Sequence, residues 1–277
     1  MKDKKQRENQ RGSLLAEIRG NKVKFAVFVV LRLIVIASIV ISIFRGNWEN
    51  VFTCCLTLVL FLIPSIIENS FRVDLPNLLE IIIFLFVFAA EILGELEGFY
   101  IKYAFWDTML HTINGFICAA AGFALVDVLN RNEKIKLSLN PLYMALVAFC
   151  FSMTVGVLWE FFEYGADCLL KTDMQKDTVI SSISSVSLNP DGHNKTVIID
   201  KITEVTVNGE PLGVGGYLDI GLHDTMKDLI VNFIGAVVFS IIGYIYVKNR
   251  GKKNSIAALF IPTLIKDEDG GDSDSTE

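Results

Sequence analysis

The sequence predicts an all-α polytopic membrane protein of about six transmembrane helices, interrupted by a small extracytoplasmic β-hairpin insertion. Three observations predict it. Of 277 residues, 52% are hydrophobic and the mean hydropathy is +0.48, above what a soluble globular chain carries. Apolar stretches of about 20 residues, enough to cross a hydrocarbon core of ~30 Å, recur at 23–45, 51–67, 77–95, 104–129, 142–164 and 228–247. Between the last two, short runs rich in β-branched residues alternate with turn residues, a pattern of strands rather than of a span.

The elements follow in order. Residues 1–22 form a basic arm that is expected to stay attached and cytoplasmic, because no small-residue cleavage pattern follows the first apolar block. Residues 23–165 hold helices one to five, of which 51–67 is the shortest. Arg32 in the first and Glu80 in the third both lie toward the inner side, and an ion pair between them is expected to aid assembly. Gly115, Gly122, Gly156, Gly235 and Gly243 permit close helix approach. The insertion, 166–223, has candidate strands at Ser184–Leu188, Thr196–Ile199 and Ile202–Val207. Asn189-Pro190-Asp191-Gly192 and Asn208-Gly209 are turn signals, so a small hairpin or three-stranded ribbon is expected. Residues 224–249 are the sixth helix and 250–277 an acidic cytoplasmic tail. Within that tail, 255–265 is too short to span and reads as an interfacial or packed segment. Cys54, Cys55, Cys118, Cys150 and Cys168 show no metal-type spacing and read as free thiols.

Orientation follows from the basic residues. With the N-terminus inside, seventeen Lys and Arg lie on the inner side and seven on the outer, so both termini are expected in the cytoplasm of a cell whose plasma (inner) membrane the chain crosses several times. Trp48, Trp106, Trp159 and Tyr164 then fall near the outer boundary, as an aromatic belt does.

Ionisable residues recur on four spans at helical spacing: Glu91 and Glu95; Asp107, His111 and Asn114; Glu160, Glu163 and Asp167; Asp224, Asp228 and Asn232. Spans three and five run outward and end on their acids, while four and six run inward and begin on theirs. All four faces therefore meet at one depth, in the outer leaflet. Ionisable groups there are costly unless they face one another, water or an ion. Taken singly, Asp107 and Asp224 also suit dipole-stabilised helix N-termini, whereas the glutamates lie at C-termini, where the dipole opposes them; an interfacial role in contact with water stays open for them. His111 alone also suits a satisfied buried histidine.

Seven carboxylates, Glu91, Glu95, Asp107, Glu160, Glu163, Asp224 and Asp228, meet only Lys102 and Lys227 nearby. A divalent metal, a proton-transfer chain or a basic partner group would each balance them. One imidazole among carboxylates suits Zn²⁺, Mn²⁺ or Fe²⁺; carboxylates alone suit Mg²⁺ or Ca²⁺.

Trp106-Asp107-x-x-x-His111-x-x-x-Gly115, then Trp159-Glu160-x-x-Glu163, then Asp224-Thr225-x-x-Asp228-x-x-x-Asn232-x-x-Gly235 resembles the YjdF-like family of bacterial inner-membrane proteins over about residues 75–245. It is distantly similar to the VanZ-like membrane proteins, although Glu163 stands where those carry Gln. The resemblance implies a bacterial plasma-membrane location and no particular activity.

Three functional classes remain open on these residues. In a metal-assisted hydrolase or transferase acting on a lipid-linked or envelope substrate, Asp107, His111, Glu160 and Asp228 would hold the metal, and Glu163 or Asp224 would act as general base on water. A proton- or cation-coupled transporter would use the same acids, but no polar path continues inward beyond Arg32 and Glu80 and no inverted repeat is visible. A non-catalytic envelope or assembly protein would bind a partner through the insertion. The expected partners are the lipid bilayer and either a lipid-linked substrate or a membrane protein, with no nucleic acid.

Overall fold

The computed structural model of the protein describes residues 22–71, 73–131, 139–249, 260–261 and 263–264. The expectations for the arm 1–21, for Arg72, for the loop 132–138 and for the tail beyond 264 lie outside those residues.

Helix α1 (Lys22–Phe44) is mostly apolar, with Arg32 in its middle, and Gly46, at φ +69°, turns the chain out of it. Asn47 then caps α2 (Trp48–Leu60), its side chain accepting the N–H of Asn50. Helix α3 (Ile63–Phe71) restarts after a two-residue break, with Pro64 in a first turn where its missing N–H costs nothing. A two-residue strand, β1 (Val73–Asp74), leads to α4 (Asn77–Phe88), which continues as a π-helical segment over Ala89–Leu96. The short α5 (Phe99–Lys102) follows Gly98, again at positive φ. Then come α6 (Trp106–Arg131), α7 (Pro141–Leu170) and α8 (Leu222–Lys248).

Six of these helical stretches are long and apolar enough to cross a membrane, with Trp48–Ser70 counting as one crossing. Each overlaps one of the six apolar stretches found in the sequence. Helices α7 and α8 are longer than their apolar cores, because the polar turns at Glu160–Asp167 and Asp224–Lys227 stay helical. Hydropathy marks where hydrocarbon ends, and the helix need not end with it.

The described residues pack as two compact units, one from Met1–Met153 with Asn232–Glu277, the other from Thr154–Val231. In the first, Leu31, Val35, Phe61, Ile83, Phe84, Phe123, Met144 and Phe239 are buried. The Phe84 ring meets Phe28 and Phe61 edge-on at 5.4 and 5.8 Å. Helices α6 and α8 run side by side: Phe116 packs on Phe239, and Phe123 packs on Tyr246. Their backbones touch, since a Cβ on Gly115 would lie 2.1 Å from the Asn232 carbonyl and one on Gly235 2.0 Å from that of Thr112. Ser152 on α7 donates to the Gly115 carbonyl at 2.7 Å.

Two expectations are settled within this unit. The 255–265 segment is packed where it is described: Phe260 meets Phe116, Ile261 is buried, and β8 (Thr263–Leu264) pairs antiparallel with β1. The ion pair of Glu80 is made with Lys24 and not, as expected, with Arg32. Arg32 lies with its guanidinium 3.9 Å from the centre of the Phe28 ring and reaches the Phe61 carbonyl at 3.5 Å. A guanidinium over an aromatic face is partly satisfied without a carboxylate, which leaves Glu80 to the lysine near the helix start.

In the second unit three antiparallel pairs form: β2 (Val179–Ile180) with β7 (Tyr217–Leu218), β3 (Ser182–Ser185) with β4 (Val197–Asp200), and β5 (Thr206–Val207) with β6 (Glu210–Pro211). The β3–β4 hairpin joins two of the three expected runs. The third run does not extend it into a ribbon: Lys201 takes φ 56°, the left-handed region, and turns the chain away after Asp200. Asn208 and Gly209, both at positive φ, close the β5–β6 turn as Asn-Gly does in tight hairpins. Val186–Leu188, expected as strand, is a single 3₁₀ turn.

Candidate functional site

The site begins where α6 begins. Trp106 is fixed by its neighbours, with its ring 4.8 Å from that of Phe99 and its Nε1 donating to the Ala89 carbonyl at 3.3 Å. That bond ties the first turn of α6 to the π-helical segment. Asp107 follows in the first turn, where the helix dipole favours a negative charge. One turn on, His111 brings its Nε2 to 3.5 Å from Asp107 Oδ1. This is the i,i+4 pairing expected from the spacing, and a carboxylate there fixes the orientation of the imidazole.

Glu91 and Glu95 were expected to share a face of span three. The segment Ala89–Leu96 that carries them is π-helical rather than α-helical, and residues four apart still fall close to one turn of it. Glu91 is half-buried and Glu95 is exposed.

In the Thr154–Val231 unit, Glu160 and Glu163 on α7 and Asp224 and Asp228 on α8 are all buried, Glu160 to 4% exposure and Asp228 to 1%. Trp159 donates from Nε1 to Glu163 Oε1 at 2.9 Å, one turn along the same helix. Trp159 thus has a polar partner among the acids of its own helix.

Between the two helices of this unit runs a strap, residues 172–178, held almost entirely by carboxylates. Asp167 accepts the N–H groups of Met174 and Gln175 at 2.7 and 2.8 Å and the Thr172 hydroxyl at 2.8 Å. Asp224 Oδ2 accepts the Lys176 N–H at 2.9 Å, and its other oxygen lies 3.6 Å from Lys227 Nζ. Asp219 accepts the N–H of Thr178 at 2.6 Å and of His223 at 2.8 Å, which also covers a free donor at the start of α8. Gln175 Nε2 completes the strap with a bond to Thr225 Oγ1 at 2.5 Å.

Asp224, read from the sequence as a candidate base, is therefore also a structural anchor. Asp219 was missed; the available signal was an acid three residues before a helix start that follows a glycine. His193 is exposed in the loop before β4, while His223 belongs to the first turn of α8.

Burial pushes the Asp219 carboxyl up, but the His223 and Thr178 N–H groups, the His223 charge and the Gly221 N–H outweigh it and hold it below the ordinary range. Asp177 goes the other way: burial, then Asp173, Asp219 and Asp167, raise it against a smaller pull from Lys176.

A family model described as "Predicted membrane protein (DUF2238)" matches residues 26–249. An uncharacterised protein of Thermotoga maritima is 25% identical over 166 residues, covering 60% of this chain and 76% of that protein. No solved structure matches.

The strap gives a pH prediction. A depressed folded-state pKa stabilises above the ordinary Asp value of about 3.9 and loses that stabilisation as pH falls through the lower folded value. In wild-type protein, hydrogen-exchange protection of the Thr178 and His223 amides should hold at neutral pH and fall only in acid below about pH 4. Asp219→Asn should lower that protection about tenfold at pH 7. Equal protection in the variant at pH 7 would show that the carboxylate does not hold the strap.

Proposed function

The chain belongs to the DUF2238 family of predicted membrane proteins, and from that premise we propose that it lies in a bacterial plasma membrane with both termini in the cytoplasm and holds a divalent cation among acids in the outer leaflet. Asp107, His111, Glu160 and Asp228 hold the cation. On this reading the motifs shared with YjdF-like and VanZ-like proteins are the cation-holding motifs.

The observation that carries the proposal is the burial of Glu160, Glu163 and Asp228 on two membrane-spanning helices. Carboxylates so placed resist ionisation unless positive charge compensates them. The Asp107–His111 pair supplies the nitrogen ligand and its orienting partner on a third such helix. One imidazole with several carboxylates fits Zn²⁺, Mn²⁺, Fe²⁺ or Mg²⁺.

Such an ion supplies Lewis acidity. The chain's own residues then suit a hydrolase or transferase acting on a lipid-linked or envelope substrate. Glu163, oriented by Trp159, accepts the proton of the attacking group. Asp224 is the second candidate for that role, with one oxygen already committed to the strap. A second reading, an envelope or assembly protein, is favoured by apolar side chains left open on the insertion, Ile198 at 62% exposure and Ile220 at 90%.

Metal analysis of detergent-purified protein should find close to one equivalent of a divalent ion. His111→Ala and Glu160→Gln should each lower it by about tenfold or more in affinity, while Arg32→Gln, outside the site, should leave metal content unchanged. A correctly folded protein with no bound metal and no cation-dependent rise in melting temperature would support the second reading instead.

Orientation is tested separately, in a background without the five native cysteines. Cysteine introduced at Asn50 or at Ser182 should react with an impermeant maleimide on intact cells, and cysteine at Asn140 should not. Labelling at Asn140 would overturn the orientation and the shared depth of the acids with it.

A further inference from the structure

Asn232 stands one turn after Asp228 on α8 and is buried to 1% exposure. Its carbonyl faces Gly115 at the closest approach of α6 and α8, and Gly115 is one turn after His111. Asn232 therefore sits level with the turn that follows the Asp107–His111 pair.

Its side chain is poorly matched there. Nδ2 donates to the Met153 thioether at 3.6 Å, a weak acceptor, and Oδ1 has no hydrogen-bond partner among the described residues. Turning the amide over only exchanges which atom is left, so the mismatch does not depend on that assignment. The neighbouring Ser152 hydroxyl, by contrast, donates to the Gly115 carbonyl. A leucine of nearly the same shape would fill this place without stranding a polar atom in a hydrocarbon-like interior. Packing alone therefore gives no reason for a carboxamide.

We propose that Asn232 is a further ligand of the cation held by the Asp107–His111 pair, its carboxamide oxygen closing the pair's side of the site one turn inward. The inference rests on the cation reading above. A neutral oxygen adds coordination without adding charge to a site already rich in acids, and hard divalent ions accept such carbonyl oxygens readily. One imidazole, carboxylates and a carboxamide together favour Mn²⁺ among the ions considered.

The test is a Mn²⁺ titration of the full-length protein in detergent, read by the loss of the free-ion paramagnetic resonance signal and by melting temperature. Asn232→Leu should bind Mn²⁺ about tenfold more weakly while melting no lower than wild type in cation-free buffer. Asn232→Asp should bind at least as well as wild type. Ser240→Ala removes a buried hydroxyl that has no hydrogen-bond partner among the described residues, two turns further along α8, and should leave affinity unchanged. Wild-type affinity in Asn232→Leu would overturn the proposal and leave the cation reading standing. Wild-type protein that binds no Mn²⁺ or other divalent ion would overturn both. Should Asn232→Leu fail to fold, Asn232→Ala carries the same comparison.

Discussion

A carboxylate in hydrocarbon has no water to stabilise it, and that constraint shapes this protein more than any single contact. Ordinary apolar packing suffices for most of the spans: Phe28, Phe61 and Phe84 interlock around α4, and α6 and α8 close on each other through Gly115 and Gly235. Near the polar ends of α6, α7 and α8 the requirement changes. Every buried acid there must be met by a donor or a positive charge, and the local architecture follows from meeting them.

The acids divide into two kinds by how they are met. Asp167, Asp219 and much of Asp224 accept main-chain N–H groups and so hold residues 172–178. Main-chain donors are neutral, and two or three of them stabilise a carboxylate without adding positive charge. Glu160, Glu163 and Asp228 lie deeper on the helices, and Asp107 is instead paired with an imidazole. The strap-forming acids thus hold the chain between α7 and α8, while on α6 Asp107 orients the imidazole one turn on.

Much of this was legible in the sequence, for identifiable reasons. The six spans appear because a bilayer requires about 20 apolar residues in a row, and no other fold imposes that length. The Asp107–His111 pair appears because i,i+4 residues on an α-helix are neighbours whatever surrounds them. Nothing in Ala89–Leu96, which carries Glu91 and Glu95, announces that this segment is π-helical. Lys24 took the place expected for Arg32 because the choice depends on Phe28, an aromatic face whose position only packing defines. The strap was invisible because its bonds join residues such as Lys176 and Asp224, 48 positions apart, through main-chain donors that every residue possesses. The end of β4 was equally hidden, since a left-handed Lys201 follows no composition rule.

The central claim is that the deep carboxylates are ionised and compensated by a bound cation. Infrared difference spectra of the purified protein, recorded with and without Mn²⁺ or Zn²⁺, test it directly. The account predicts that adding the ion shifts the bands of ionised carboxylates, and that Glu160→Gln diminishes the shift. A protonated-carboxyl band that is present at neutral pH, disappears in Glu160→Gln and does not respond to either ion would contradict it.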